Sequence, residues 1–232
     1  MGKKTLSSPR ITGTEAVWGW GWWAFQFFLL PSLLPAVNTL LSRPLNQAEL
    51  NFTFFLMNFL AVLLIFHSFL ARSARAAVAH PAYFCQAVIL GLVAYFALSK
   101  CIGWCIHQLD PGFRNTNDAF ISGLHLSSRY LTALGTIVLV PPAEECFYRG
   151  LFFQAFAKKA LWLGYAVSTT VFALIHILGF IGSASPLSLL LSFVQYLPAG
   201  LWLAWTYTKA DTIFAPIVMH GLINFYTLNQ LR

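Results

Sequence analysis

The chain has 232 residues, of which 58% are hydrophobic, 16% aromatic and only 9% charged. Soluble domains carry roughly 25% charged residues, so the composition excludes an ordinary water-soluble domain and points to a polytopic helical membrane protein. The net charge of +7 is dispersed among short loops, a pattern that suits topology control and contact with anionic lipid heads and offers no nucleic-acid patch.

Taken in chain order, seven apolar segments are predicted, at about 16–37, 49–70, 81–106, 130–157, 160–181, 186–208 and 211–229. Each can cross ~30 Å of hydrocarbon at ~1.5 Å per residue. The runs are continuous, unlike the short alternating strands of a β-barrel. The expected fold is therefore all-α, with about seven transmembrane helices in a single domain, residues 1–232, around an intramembrane polar cavity. Lys3, Lys4 and Arg10 precede the first segment, which is long, Trp-rich and without an Ala-x-Ala site; it reads as an uncleaved span. Pro44, Pro81 and Pro186 stand near segment starts, where a missing amide donor costs little. Cys85, Cys101, Cys105 and Cys146 fall in apolar stretches and read as packing thiols. The one sizeable polar interruption is 107–129, with Asp110-Pro111-Gly112 as a turn signal and Asp118 beyond it. Pro141-Pro142 should disturb the fourth helix and could divide it in two.

Positive residues set the orientation. With the N-terminus cytoplasmic, that side holds Lys3, Lys4, Arg10, Arg72, Arg75, Lys158, Lys159 and Lys209, against Arg43, Arg114, Arg129 and Arg232 opposite. Eight against four favours N-in and C-out, with Lys100 and Arg149 left out of the count.

Glu144, Glu145 and Arg149 lie inside the fourth segment. A charge at a helix centre in the bilayer costs about 2.5–3.5 kcal/mol on insertion scales, so such groups face a protein interior or a wet cavity and read as a functional site. Glu145 and Arg149 are four apart and can form an ion pair that holds the helix in place. Glu144 is rotated by about 100° and is left for chemistry. Phe172 and His176 in the fifth segment, and His220 and Asn224 in the seventh, are again four apart. One carboxylate, two imidazoles and a carboxamide suit hydrolysis by activated water. Glu144 and His176 would hold the water and take its proton, while His220 and Asn224 would donate to the oxyanion of a tetrahedral intermediate.

Singly, each feature has a plainer reading: a structural ion pair, a helix-packing histidine, an interhelical asparagine. Their joint occurrence in three of the last four segments favours a site. His67, His80, His107 and His125 lie near segment ends or in the polar loop and read as interfacial.

The three pairs resemble the motifs of the CAAX prenyl protease and bacteriocin-processing family of intramembrane proteases, the type II CAAX endopeptidases. EExxxR stands as Glu144-Glu145-Cys146-Phe147-Tyr148-Arg149, FxxxH as Phe172-Ala173-Leu174-Ile175-His176, and HxxxN as His220-Gly221-Leu222-Ile223-Asn224. The resemblance covers about residues 130–229. It implies an endopeptidase cutting a peptide bond near a membrane-associated end of a protein or peptide. The first glutamate and second-motif histidine would activate water, and the third-motif residues would form the oxyanion hole. Many relatives have been labelled metalloproteases, and Glu144, His176 and His220 could in principle ligate zinc. No HExxH occurs and asparagine is a poor zinc ligand, so a cofactor-free mechanism is favoured. The implied partners are a substrate with a membrane-associated segment and the bilayer. The implied location is a prokaryotic cell membrane. Two other classes remain open: a catalytically silent scaffold or immunity protein, and a small transporter. The second lacks visible inverted repeats.

Overall fold

The computed structural model describes residues 9–230; Lys3, Lys4 and Arg232, which enter the charge count, lie outside the described residues. Among the described residues there are ten helices and no strand. They are α1 (Gly13–Phe28), α2 (Leu30–Asn38), α3 (Gln47–Ile65), α4 (His67–Ala79), α5 (Pro81–Leu109), α6 (Thr116–Ser127), α7 (129–157), α8 (Leu161–Leu178), α9 (Pro186–Ala210) and α10 (Phe214–Gln230). The all-α membrane architecture read from composition is the observed one. Four helices, α3, α5, α8 and α9, are long and apolar enough to cross a bilayer by themselves.

The remaining predicted segments are present as helix but differ in detail. The first bends at Leu29, where α1 ends and α2 begins with Pro31 in its opening turn. The second ends at Phe66, and its last residues belong to α4, a short helix carrying Arg72 and Arg75 that buries Phe69 and Ser73. The polar interruption is not all loop. Asp110 Oδ1 accepts from the Gly112 amide at 3.0 Å in the expected turn, but a helix follows, capped by Asn115.

The disturbance expected at Pro141-Pro142 is present, but it does not divide the helix in two. The backbone stays right-handed helical throughout α7, and two wide-turn π stretches, Gly135–Leu139 and Cys146–Phe153, bracket the prolines. Proline supplies no amide donor, so the adjacent turns widen to re-pair their carbonyls; the Val140 amide reaches five residues back to Gly135. The thiols also need correction. Cys146 is buried, but Cys85, Cys101 and Cys105 are on the outer surface, because α5 turns much of its circumference outward.

Helix α7 forms the centre. Phe147, Leu151 and Phe153 from α7 meet Phe66 and Phe69, together with Leu203, Tyr207 and Met219, all essentially without exposure. Within a bilayer such packing, rather than removal of apolar surface from water, holds helices together. Helix α8 runs along α9 and α9 along α5. At Gly200 the first two come so close that a Cβ would lie 2.9 Å from Thr169 Cα, so only glycine fits.

Contacts at the two ends of the bundle fix which loops share a side. At one end Arg72 donates to the Arg10 carbonyl at 2.9 Å, Gln154 to the Pro9 carbonyl at 3.1 Å, and Thr212 to the Ser73 carbonyl at 2.8 Å. At the other, Asn115 donates to Gln195 at 2.9 Å and Phe120 packs edge-on against Phe180. Arg10, Arg72 and the loops after α7 and α9 thus group together.

Candidate active site

Three helices bring the seven sequence-predicted residues to one place. On α7, Glu145 and Arg149 are both fully buried, with Arg149 Nη1 donating to Glu145 Oε1 at 2.8 Å. Arg149 Nη2 donates to the Gly200 carbonyl at 2.9 Å, so the glycine that permits the close crossing also supplies an acceptor. The guanidinium carbon sits 4.8 Å from the centre of the Phe172 ring, a cation–π placement. Phe172 in turn contacts both histidines, with ring centroids 4.7 Å from His176 and 5.7 Å from His220. It is the common wall of the cluster.

The ion pair has a third member that its spacing did not disclose. His220 Nδ1 lies 2.8 Å from Glu145 Oε1. A carboxylate only accepts, so the imidazole presents its Nδ1–H there. Glu145 therefore orients His220 as well as holding Arg149. Glu144 was expected to point away from Arg149 and to share a water with His176. Its Oε2 lies 4.0 Å from His220 Nε2, so the two adjacent carboxylates approach opposite nitrogens of one ring. Glu144 Oε2 is shielded from solvent and has no hydrogen-bond partner among the described residues.

His176 is fixed by its own helix. Its Nδ1 is 2.7 Å from the Phe172 carbonyl, which can only accept, so Nδ1 carries the proton and Nε2 keeps its lone pair. Asn224 Nδ2 donates to the Thr136 carbonyl at 2.7 Å, spending one of its two amide hydrogens. The acceptor belongs to the widened turn before Pro141, where helical pairing is already rearranged.

Glu144, His176, His220 and Asn224 all line a cavity of about 1100 Å³. That exceeds the ~300–1,000 Å³ of usual ligand pockets and leaves space for a peptide segment. The cavity runs toward the end carrying Asn115 and Phe180. Its wall includes residues that sequence reasoning did not select, notably Asn117, Asp118 and Tyr196. The available signal was Asn115 followed by Asp118, an N-cap with an acidic first turn; nothing local marks Tyr196. Among the described residues, no three of His, Cys, Asp and Glu converge as a metal-binding group.

Comparisons with known proteins find two partial matches. The family model described as Type II CAAX prenyl endopeptidase Rce1-like matches residues 126–226. UPF0177 protein YbdI of Lactococcus lactis subsp. lactis (strain IL1403) is 30% identical over 92 residues, covering 40% of this chain and 44% of that protein. The chain thus covers less than half of that curated relative. No solved structure matches it. Residues 126–226, with all three motifs inside them, are thus similar to the Rce1-like type II CAAX prenyl endopeptidases.

Proposed function

We propose that the protein is an intramembrane endopeptidase that hydrolyses a peptide bond by glutamate-activated water. The observation that carries this reading is the pair of adjacent carboxylates on opposite nitrogens of His220, with Glu144 unspent at the cavity wall. Glu144 takes the proton of a water held between it and His176 Nε2, and the oxygen adds to the scissile carbonyl carbon. The oxyanion receives the second amide hydrogen of Asn224 and a hydrogen bond from His220 Nε2. The latter requires the doubly protonated ring, since Nδ1–H is committed to Glu145. Collapse of the intermediate breaks the C–N bond, and the proton on Glu144 passes to the leaving amine. Glu145 and Arg149 hold the histidine and the helix; Phe172 closes the wall. No metal is used in this scheme.

The substrate is a protein or peptide with a membrane-associated segment, reached within the bilayer. Seven crossings follow from the seven apolar segments and an inside N-terminus from the charge count, and the grouping of Arg10 and Arg72 at one end supports that orientation. The cavity then faces the non-cytoplasmic side, which suits an exported protein with a C-terminal anchor. Comparison of new protein termini in membranes with the wild-type and Glu144→Ala chains tests this. Products present only with the wild type support the enzyme and name its substrate; identical termini would support a silent scaffold.

A further inference from the structure

We propose that Tyr196 and Asp118, which carry no part of the hydrolytic scheme, are positioning residues for His176, and that through them the short helix α6 is coupled to the active centre. This rests on the hydrolytic reading above. Tyr196 on α9 lies against the His176 imidazole, with centroids 4.2 Å apart and planes 26° apart. Phe172 also contacts the imidazole, at 4.7 Å and 46°. The hydrogen bond to the Phe172 carbonyl anchors one nitrogen and sets the tautomer. One bond leaves the ring free to swing about that nitrogen, which would carry Nε2 away from the water. The second aromatic face removes that freedom.

Tyr196 is itself held from α6. Its hydroxyl donates to Asp118 Oδ1 at 3.0 Å and accepts from Asn117 Nδ2 at 2.9 Å. A phenylalanine could stack but would not be tied at its far end. The first turn of α6 is fastened in turn to one face of α9. Asn115 donates to Gln195 at 2.9 Å, and Thr116 reaches Ser192 and Ser188, each at 3.4 Å. Residues 188, 192, 195 and 196 recur at helical spacing on a single stripe. A polar seam therefore runs from the cap of α6 to the ring stacked on His176, at the end where the cavity extends.

The test uses the full chain in detergent or nanodiscs with a substrate peptide identified as above. Tyr196→Leu should lower kcat by about 10- to 100-fold with KM within about twofold, as expected when a reacting group is misplaced by a fraction of an ångström to an ångström. Tyr196→Phe should recover part of that loss. Asp118→Ala should lower kcat alone, yet add nothing on top of Tyr196→Phe, because both act through one hydrogen bond. Melting temperatures identify variants that fail to fold. A second readout does not need cleavage: side-chain NMR of 15N-histidine protein in a Glu144→Gln background. Displaced and broadened His176 signals in Tyr196→Leu, with near wild-type signals in Tyr196→Phe, support the positioning role. Unchanged His176 signals in Tyr196→Leu, or losses from Asp118→Ala and Tyr196→Phe that simply multiply, overturn it. If no peptide is cleaved by the wild type while the NMR response is present, the hydrolytic reading fails and the positioning of His176 stands.

Discussion

Among the described residues, two glutamate–arginine pairs have a buried carboxylate, and they are built differently. Near the bundle's end, Glu15 accepts from the Thr12 amide at 2.7 Å, the Phe69 amide at 2.6 Å and Arg72 at 3.0 Å. Both of its oxygens are served, and Arg72 keeps 35% of its side-chain surface exposed. In the interior, Glu145 and Arg149 are wholly enclosed, Glu145 Oε1 takes two donors, and Glu145 Oε2 and Glu144 Oε2 take none among the described residues. A saturated carboxylate that ties α1 to α4 is an anchor. Unsaturated carboxylates beside a cavity keep capacity for a ligand, and buried polar groups left so are uncommon enough to require a reason. The contrast sets a saturated anchor against a cluster whose free carboxylate oxygens are available for the proposed chemistry.

Substitutions in the two places should therefore fail in different ways. The largest effect is expected at Glu144. Glu144→Gln keeps the volume and removes the base, so cleavage should drop by at least ~10²-fold with the melting temperature little changed. Asn224→Ala removes one oxyanion donor and should cost about 10²-fold in kcat. Glu145→Gln should lose both activity and stability, since Arg149 is left buried without its counter-charge; breaking such a pair costs about 3–5 kcal/mol. Glu15→Gln should cost only stability, about 1–3 kcal/mol by leaving a buried donor poorly matched, with cleavage per folded molecule retained. Smallest of all, prolonged chelation should leave the rate unchanged. Loss on chelation and return with zinc would replace the glutamate scheme with a metal one.

Sidedness is tested separately. Cysteines placed at Ser183 and Lys209 in a background lacking native cysteines should label from outside at 183 only. Labelling at 209 alone would reverse the orientation and the direction in which the cavity faces.

The fold class was legible because long apolar runs have few structural solutions in a bilayer. The candidate site was legible because charges at depth are costly and i,i+4 spacing shows which pairs share a face. Spacing does not say toward what that face turns. It set Glu145 with Arg149 but could not place His220 between two carboxylates, a relation across 75 residues. It also did not show that Glu144 Oε2 would come within 4.0 Å of His220 Nε2. The prolines announced a disturbance, but whether a helix breaks or widens depends on the neighbours that pack around it. Tyr196 was invisible for the same reason: its role comes from α6, which is hidden in a segment whose polarity reads as loop.

The most direct measurement is cleavage itself, followed by mass spectrometry of new termini, with wild-type and Glu144→Gln chains at equal levels in the same membranes. The account predicts defined products with the wild type and their absence with a folded Glu144→Gln. The same products from both chains would contradict it.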